Sequence, residues 1–414
     1  MNTLVIGSGG REAAIVKALA KSKHSEKIFI LNGNDGVTEA ECLTDIDMSD
    51  HQKIGEFARD NKIDWVFIGP EAPLSEGLTD TLEDDFGLKV FGPRKYEAQM
   101  ESSKAFTKAL MEKYDIPTAT HKTFTRVEDS KKYLETSDFP IVLKKDGLAA
   151  GKGVIIAHTL EEALDGVDAL QTEGEELVIE EFLDGDEFSL MVFVNGDTFI
   201  PFNIIAQDHK RAYDGDKGPN TGGMGVYAPV DYIDQKYVDE AVEKIVKPTV
   251  DAMVSEGMNY FGVLYLGAIV TKDGVKTIEY NARLGDPEAQ VLLDLMESDL
   301  LEVLMDLDKK QATKLKFRDE YVVGVMLASK NYPGTPELGN EVLIPENIQD
   351  DCIISALKRT GDTTFQTSGG RTVLVLGRGQ TIEDANIDAY NKVSQIEFEN
   401  DAVFYRKDIG HRAF

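Results

Sequence analysis

Cysteine is nearly absent from this chain, and so is any excess of positive charge. Cys42 and Cys352 are too few for a disulfide framework, so a reducing cytoplasm is the expected compartment. Lys and Arg number 44 against 74 Asp and Glu, a formal charge of −30. That deficit argues against nucleic acid as a partner, which needs basic patches. It also means that local lysines, arginines and backbone amides, not the overall field, must hold any anionic substrate. The six histidines, at 24, 51, 121, 158, 209 and 411, are scattered, which speaks against a zinc cluster. No apolar run approaches the roughly 20 residues of a membrane span, and Met1 leads straight into a strand without the basic segment of a signal peptide. No Ser-His-Asp or Cys-His constellation, internal repeat or low-complexity segment is visible. What remains is a soluble globular composition, 42% hydrophobic and 29% charged, with 414 residues enough for two to four domains.

The most informative stretch is 141–153. Ile141-Val142-Leu143 ends on Lys144-Lys145-Asp146, breaks into Gly147-Leu148-Ala149-Ala150-Gly151-Lys152-Gly153, and resumes as Val154-Ile155-Ile156-Ala157. This is strand, glycine-rich loop, strand. Glycines let backbone N–H groups close around an anion, and the lysines add point charges suited to phosphate. Gly153 follows Lys152 where a P-loop has Ser or Thr, and a strand follows where a P-loop has a helix. A lid over a nucleoside triphosphate is the better reading.

Around this stretch the chain falls into three parts: a Rossmann-like α/β domain over 1–100, a central domain over 101–320 with a lid subdomain at about 122–190, and a small β-rich domain over 321–414. In the first, four strands (3–7, 27–31, 65–68 and 88–91) alternate with helices and end in glycine-rich turns, which predicts a parallel sheet with ligands at the strands' C-terminal ends. Gly7-Ser8-Gly9-Gly10-Arg11-Glu12 gives Gly-x-Gly but puts Glu12 where a dinucleotide fingerprint needs its third glycine. Asn32-Gly33 stands where that fingerprint needs an acid, so NAD binding is disfavoured.

In the second part, Ser102-Ser103-Lys104 heads an amphipathic helix. Helices at 128–136 and 160–170 and the strand 177–181, ending Glu180-Glu181, complete the lid. Residues 207–225 form a polar loop too specific for filler, followed by a helix over 238–253. Strands 263–270 and 275–281 meet at Lys272-Asp273-Gly274, a hairpin signal. Glu279 and Asn281, two apart on a strand, share one face, and two hard oxygen donors suit Mg²⁺. Pro287 fits the first turn of a helix. In the third part, strands near 321–327, 352–357 and 372–377 precede a helix at 382–394 and the tail 404–410.

Taken together, these motifs closely resemble the phosphoribosylamine–glycine ligase family of the ATP-grasp superfamily. The resemblance runs over essentially the whole chain, through residues 7–12, 69–74, 145–154, 180–183, 207–211, 218–225, 283–288 and 405–410. It implies an ATP-dependent ligase of purine biosynthesis that joins glycine to 5-phospho-β-D-ribosylamine through glycyl phosphate, with ATP as co-substrate and Mg²⁺ or Mn²⁺ as cation. By the same resemblance, Lys104 and Lys144 would hold ATP phosphates under the lid loop with Gly151 and Gly153, and Glu180, Phe182 (through its backbone) and Glu187 would take adenine and ribose. Glu279 and Asn281 would bind metal, and Arg283 would face the transferred phosphate or the acyl intermediate. Gly9, Gly10 and Glu71 would meet phosphoribosylamine. Asp208, Lys210, Asp214 and the 218–225 loop with Asn220 would shape the glycine and ribosylamine sites, Asp208 with a catalytic role. A cytoplasmic monomer acting on small molecules, with no membrane or nucleic-acid partner, is expected.

Three positions depart from the family pattern. Ala13 replaces a histidine, Lys145 replaces an alanine and puts a second cation beside Lys144, and residues 171–176 form a shortened connection.

Overall fold

The apolar runs at the N-terminus form one parallel sheet, because strands covered on both faces need no polar alternation. The structure, a computed structural model, describes residues 1–149, 153–399 and 401–414. Five strands lie in the order Glu41–Leu43, Lys27–Leu31, Asn2–Ile6, Trp65–Ile68, Val90–Phe91. Chain order reverses between Asn2–Ile6 and Trp65–Ile68, so the turns at 7–10 and 69–71 flank a switch-point crevice. Strand Glu41–Leu43 is an addition to the sequence reading. It has three residues, two of them exposed, and so leaves no pattern to read.

The central part holds two antiparallel sheets. The lid sheet has the order His121–Phe124, Leu177–Glu181, Ile141–Lys145, Val154–Ala157. Helices Val127–Leu134 and Leu160–Leu170 cover it around Leu143, Val167, Leu177 and Ile179. The floor sheet has the order Thr198–Pro201, Asp186–Asn195, Phe261–Thr271, Gly274–Asn281. A bulge shifts the last pair so that Thr277 faces Ala268 while Glu279 faces Gly267. The helix expected over 238–253 runs from Gln235–Ala241 through a π-helical turn, Val242–Val246, into Lys247–Ser255. Pro248, with no N–H to donate, lies just past that turn.

The C-terminal part does not stand apart as the sequence suggests. Its sheet has the order Gln207–Asp208, Gly225–Ala228, Tyr321–Ser329, Arg371–Gly379, Cys352–Ile354, with Val403–Phe404 added on Tyr321–Ser329. Tyr321–Ser329 is buried along nearly its whole length, so it needs strands on both edges, and one neighbour comes from the central part. Helix Ile382–Val393, capped by the Thr381 hydroxyl, packs on this sheet. A second small sheet joins Leu357–Arg359, Thr364–Thr367, Glu341–Leu343 and Glu397–Phe398.

Aromatic side chains weld the first two parts. Phe261 packs against Trp65 and Phe91 at ring-centre distances of 5.8 and 5.4 Å, and Phe91 meets Phe193 at 5.6 Å. Each such buried side chain contributes about 1.5–3 kcal/mol of transfer free energy. One continuous core includes Val5, Trp65, Phe193, Leu292, Met326 and Leu374, so it crosses all three parts.

Candidate active site

The lysines of the lid side come from two elements. Ser103 caps helix Lys104–Lys113 by accepting from the Phe106 N–H at 3.1 Å. The Asp146 carboxylate also lies at this helix start, accepting from the Ala105 N–H at 3.0 Å. Lys104 donates to the Gly147 carbonyl at 2.9 Å, tying the helix to the first residues of the lid loop. One turn on, Lys108 reaches Glu180 at 2.5 Å and the Thr118 hydroxyl at 2.8 Å. Lys144, from the other side, pairs with the same Glu180 and donates to the Ile278 carbonyl at 3.2 Å. Glu180 is therefore a buried carboxylate between two buried lysines. Burial alone would raise its pKa, but Lys144 and Lys108 outweigh that and hold it below the usual range. Burial lowers the pKa of both Lys104 and Lys108.

Other lid residues divide. Lys145 points away from Lys144, as strand alternation requires, and pairs with Glu175 at 3.2 Å, so it is not a second cation at the site. Glu181 is engaged by the Thr120 N–H at 2.9 Å and Lys276 at 3.3 Å. Phe182 follows the strand end and is partly exposed. Gly153 is buried, and its carbonyl accepts the Lys145 N–H at 2.8 Å. Gly151 lies outside the described residues.

Glu279 lies where these elements converge. Burial opposes its charge, but Lys210, Lys144, Lys104 and Arg283, from four separate segments, together hold its pKa below the usual range. Asn281, on the same face, has its side-chain oxygen 3.4 Å from the Arg283 guanidinium. A carboxylate and an amide oxygen at this spacing form a hard donor set, so these residues fit a small divalent cation.

Arg283 is half-buried and paired with Glu101 at 2.9 Å and Glu71 at 3.4 Å. Burial would raise the Glu71 pKa, yet Arg283 and Arg11 bring it below its ordinary value. Glu101 is pushed up by burial despite Arg283. Beside this cluster, Glu12 fills the first turn. Its carboxylate accepts from the Gly9 N–H at 2.7 Å and from Arg11 at 2.6 Å. A Cβ on Gly69 would lie 1.9 Å from Glu12 Oε1, and Gly7 has φ +124° against the same side chain. The turn that would cradle a dinucleotide pyrophosphate thus holds a glutamate. Gly9 faces Asp286, and Gly10 faces Gln290 and Ser355. Ala13 is buried in the core behind them. Arg371, from the C-terminal part, donates to the Gly222 carbonyl at 2.7 Å and the Asp286 carbonyl at 2.9 Å, and its guanidinium lies 3.2 Å from the Asp286 carboxylate.

The polar loop is more regular than its sequence suggests. Gln207–Asp208 pairs with Gly225–Ala228, and Arg211–Tyr213 pairs with Lys217–Asn220 around a tight turn in which Gly215 and Asp216 have φ +68° and +54°. Asp208 and Lys210 line a cleft with Glu187, Ser189, Gln207 and Tyr265, and Lys210 lies 3.7 Å from Glu187. Glu187, expected at the nucleotide, is thus grouped with Asp208 and Lys210. Burial pushes Asp208 up to about 7; Lys210 opposes this, and Glu288, Glu187 and Glu279 add to it. Glu288 is itself buried and accepts from the Tyr265 hydroxyl at 2.6 Å and Ser189 at 3.0 Å. Two expected substrate residues sit elsewhere. Asp214 accepts from the Lys407 N–H at 2.8 Å, in the C-terminal tail, and Asn220 is a half-buried strand residue opposite Arg211.

The sequence reading missed Lys108, Glu101 and Arg371. Lys108 lies one helical turn from Lys104, but nothing in the sequence marks it as buried. Arg371, over 80 residues from Asp286, carried no local signal.

The chain matches known proteins along its whole length. The model of the phosphoribosylglycinamide synthetase N domain matches residues 1–101, that of its ATP-grasp (A) domain residues 102–289, and that of its C domain residues 322–412. The chain belongs to the phosphoribosylglycinamide synthetase family. It is 45% identical over 424 residues to the phosphoribosylamine–glycine ligase of Streptococcus pneumoniae serotype 4, covering 100% of each chain. It is 43% identical over 420 residues to that of Halalkalibacterium halodurans, covering 100% of this chain and 97% of the relative. The crystal structure of phosphoribosylamine–glycine ligase from Thermotoga maritima superposes with a TM-score of 0.86 at 32% identity, covering 99% of this chain and 100% of that one. No helix among the described residues is long and apolar enough to cross a membrane.

Proposed function

We propose that this chain couples ATP to the joining of glycine and 5-phospho-β-D-ribosylamine, giving glycinamide ribonucleotide, ADP and phosphate. The observation that carries this reading is Glu279, a half-buried carboxylate beside Asn281 in the field of four cations drawn from four segments. A carboxylate is a poor acylating agent, so glycine needs a leaving group. A glycine carboxylate oxygen attacks the γ-phosphorus, ADP departs, and glycyl phosphate forms. The ribosylamine nitrogen then attacks the acyl carbon, the C–O bond to phosphate breaks, and the nitrogen gives up a proton.

Lys104 and Lys144 bind the triphosphate, and Lys108 orients Glu180 against Lys144. Glu180 and Phe182 define the nucleoside end, and Glu187 stands with Asp208 and Lys210 in the cleft. Glu279 and Asn281 would hold Mg²⁺ or Mn²⁺, which would supply neutralisation of charge on the phosphoryl oxygens. Arg283, fixed by Glu101 and Glu71, faces the acyl phosphate. Gly9, Gly10 and Glu71 border the phosphoribosylamine end, at the switch-point crevice. Asp208, with its carboxyl pushed up to about 7, is the group suited to take the amine proton. The setting is a cytoplasmic monomer.

Glycine labelled with ¹⁸O in its carboxylate tests this route. Turnover through glycyl phosphate moves one label into the released phosphate, whereas unlabelled phosphate would exclude an acyl phosphate.

A further inference from the structure

The tail 404–412, which includes the 405–410 motif, takes no part in the reaction, and its contacts are unusually specific. Arg406 is fully buried at its side chain. Its guanidinium grips both Asp408 oxygens at 2.8 Å, Asp216 at 2.9 Å and the Arg211 carbonyl at 3.2 Å. Asp408 in turn accepts the Gly215 N–H at 2.7 Å, and Lys407 donates its N–H to Asp214 at 2.8 Å. Arg412 reaches the other Asp216 oxygen at 3.1 Å, and the Gly410 N–H donates to His209 Nε2 at 3.1 Å. Behind the tail, Tyr390 accepts the Ile409 N–H at 3.1 Å and donates to the Arg406 carbonyl at 2.7 Å. The tail is therefore fixed to helix Ile382–Val393 on one side and holds the turn at 214–216 and residue 209 on the other.

Those anchors bracket Lys210. Asp208 and Lys210 sit in the cleft with Glu187, while their neighbours 209, 211 and 214–216 are fastened to a segment some 190 residues away in sequence. A polar turn with two consecutive left-handed residues has little local reason to hold one shape. The bonds from Arg406 to Asp216 and to the Arg211 carbonyl, and from the Gly215 N–H to Asp408, supply that rigidity, with the bidentate Arg406–Asp408 pair fixing the guanidinium.

We propose that residues 404–412 form a latch that positions Asp208 and Lys210 for the acceptor step, with Arg406 as the positioning residue. This rests on the reaction proposed above. The latch holds the backbone on either side of Lys210, and Arg406 lies outside the nucleotide-side cluster of Lys104, Lys108, Lys144 and Glu180. Its loss should therefore lower turnover and spare ATP affinity.

The test is a double-mutant cycle of Arg406→Met with Lys210→Met, reading kcat, ATP Kd and trypsin cleavage within 210–217 by mass spectrometry. A misplaced group costs about tenfold to a hundredfold in rate, so Arg406→Met should lower kcat by that factor, with ATP Kd changed less than about twofold. In the Lys210→Met background the same change should cost less than about twofold, because coupled residues are non-additive. Cleavage in 210–217 should accelerate. Full multiplicativity, an unchanged kcat or an equal loss of ATP affinity would overturn the latch. If Arg406→Met fails to fold, Asp408→Asn, which keeps the shape, enters the same cycle with the same outcomes. Wild-type protein that turns over without glycine or phosphoribosylamine would contradict the proposed reaction, and the cleavage readout would still judge the latch.

Discussion

Glu180 carries the site's electrostatics at the scale of single residues. Two buried lysines share it, so neither a neutral side chain nor a missing one is equivalent there. Removing one side of a buried ion pair costs about 3–5 kcal/mol, since the charge left behind loses both water and partner. Glu180→Ala should lower unfolding stability by about that amount and raise the KM for ATP, as urea unfolding and initial rates would measure. A loss under about 1 kcal/mol would show that the lysines rehydrate and that the triad is looser than its distances indicate. Lys144 and Glu180 were singled out in the sequence through the family resemblance, which did not reveal that they pair with each other. Lys108 was not marked, since one lysine on an amphipathic helix resembles any other until its burial is known. Lys145 shows the reverse error: a cation adjacent in sequence faces the opposite side of the strand and meets Glu175.

The element that departs most from expectation is the stretch 207–225. Its composition of charges and glycines reads as a loop, because short two- to four-residue strands leave no alternation to detect. The partners that make it regular lie in Tyr321–Ser329 and the tail, and no local pattern reveals them. Hairpin Phe261–Thr271/Gly274–Asn281, by contrast, was legible from its Asp-Gly turn and apolar runs.

The same element has a titratable joint. His209 is buried, and burial first, then Arg406 and His411, push its pKa down from 6.5 to about 3, with Asp216 and Asp408 opposing. Its Nε2 accepts the Gly410 N–H, which requires the neutral ring. In the unfolded chain the ring protonates near 6.5, so the unfolded state binds the extra proton over the window from about 6.5 to 3. Stability therefore falls as pH drops through that window, by up to about 1.4 kcal/mol per pH unit from this group. Melting temperatures between pH 7 and pH 5 should decline less steeply in His209→Gln than in the parent. Equal slopes would mean that His209 protonates freely in the fold.

Across the whole molecule, one apolar core ties the N-terminal sheet, the floor sheet and the C-terminal sheet together. Trp65, the single tryptophan, lies at the aromatic seam against Phe261 and is buried. Its fluorescence should therefore change in the same urea transition as far-ultraviolet circular dichroism, as expected for one cooperative unit. An earlier tryptophan transition would mean that the first hundred residues separate before the rest unfolds. The alternation of strands and turns suggests three parts, but the welding between them was not legible, because long-range contacts leave no periodic trace.

The central claim is a ligase that needs both substrates and works through a cation held at Glu279. It is tested most directly by phosphate release from ATP and Mg²⁺, with glycine, phosphoribosylamine or both, in the parent and in Glu279→Ala. Sustained release only with both substrates, reduced by at least about a hundredfold in Glu279→Ala, is the predicted result. Release that ignores glycine or phosphoribosylamine, or that survives in Glu279→Ala, would contradict it.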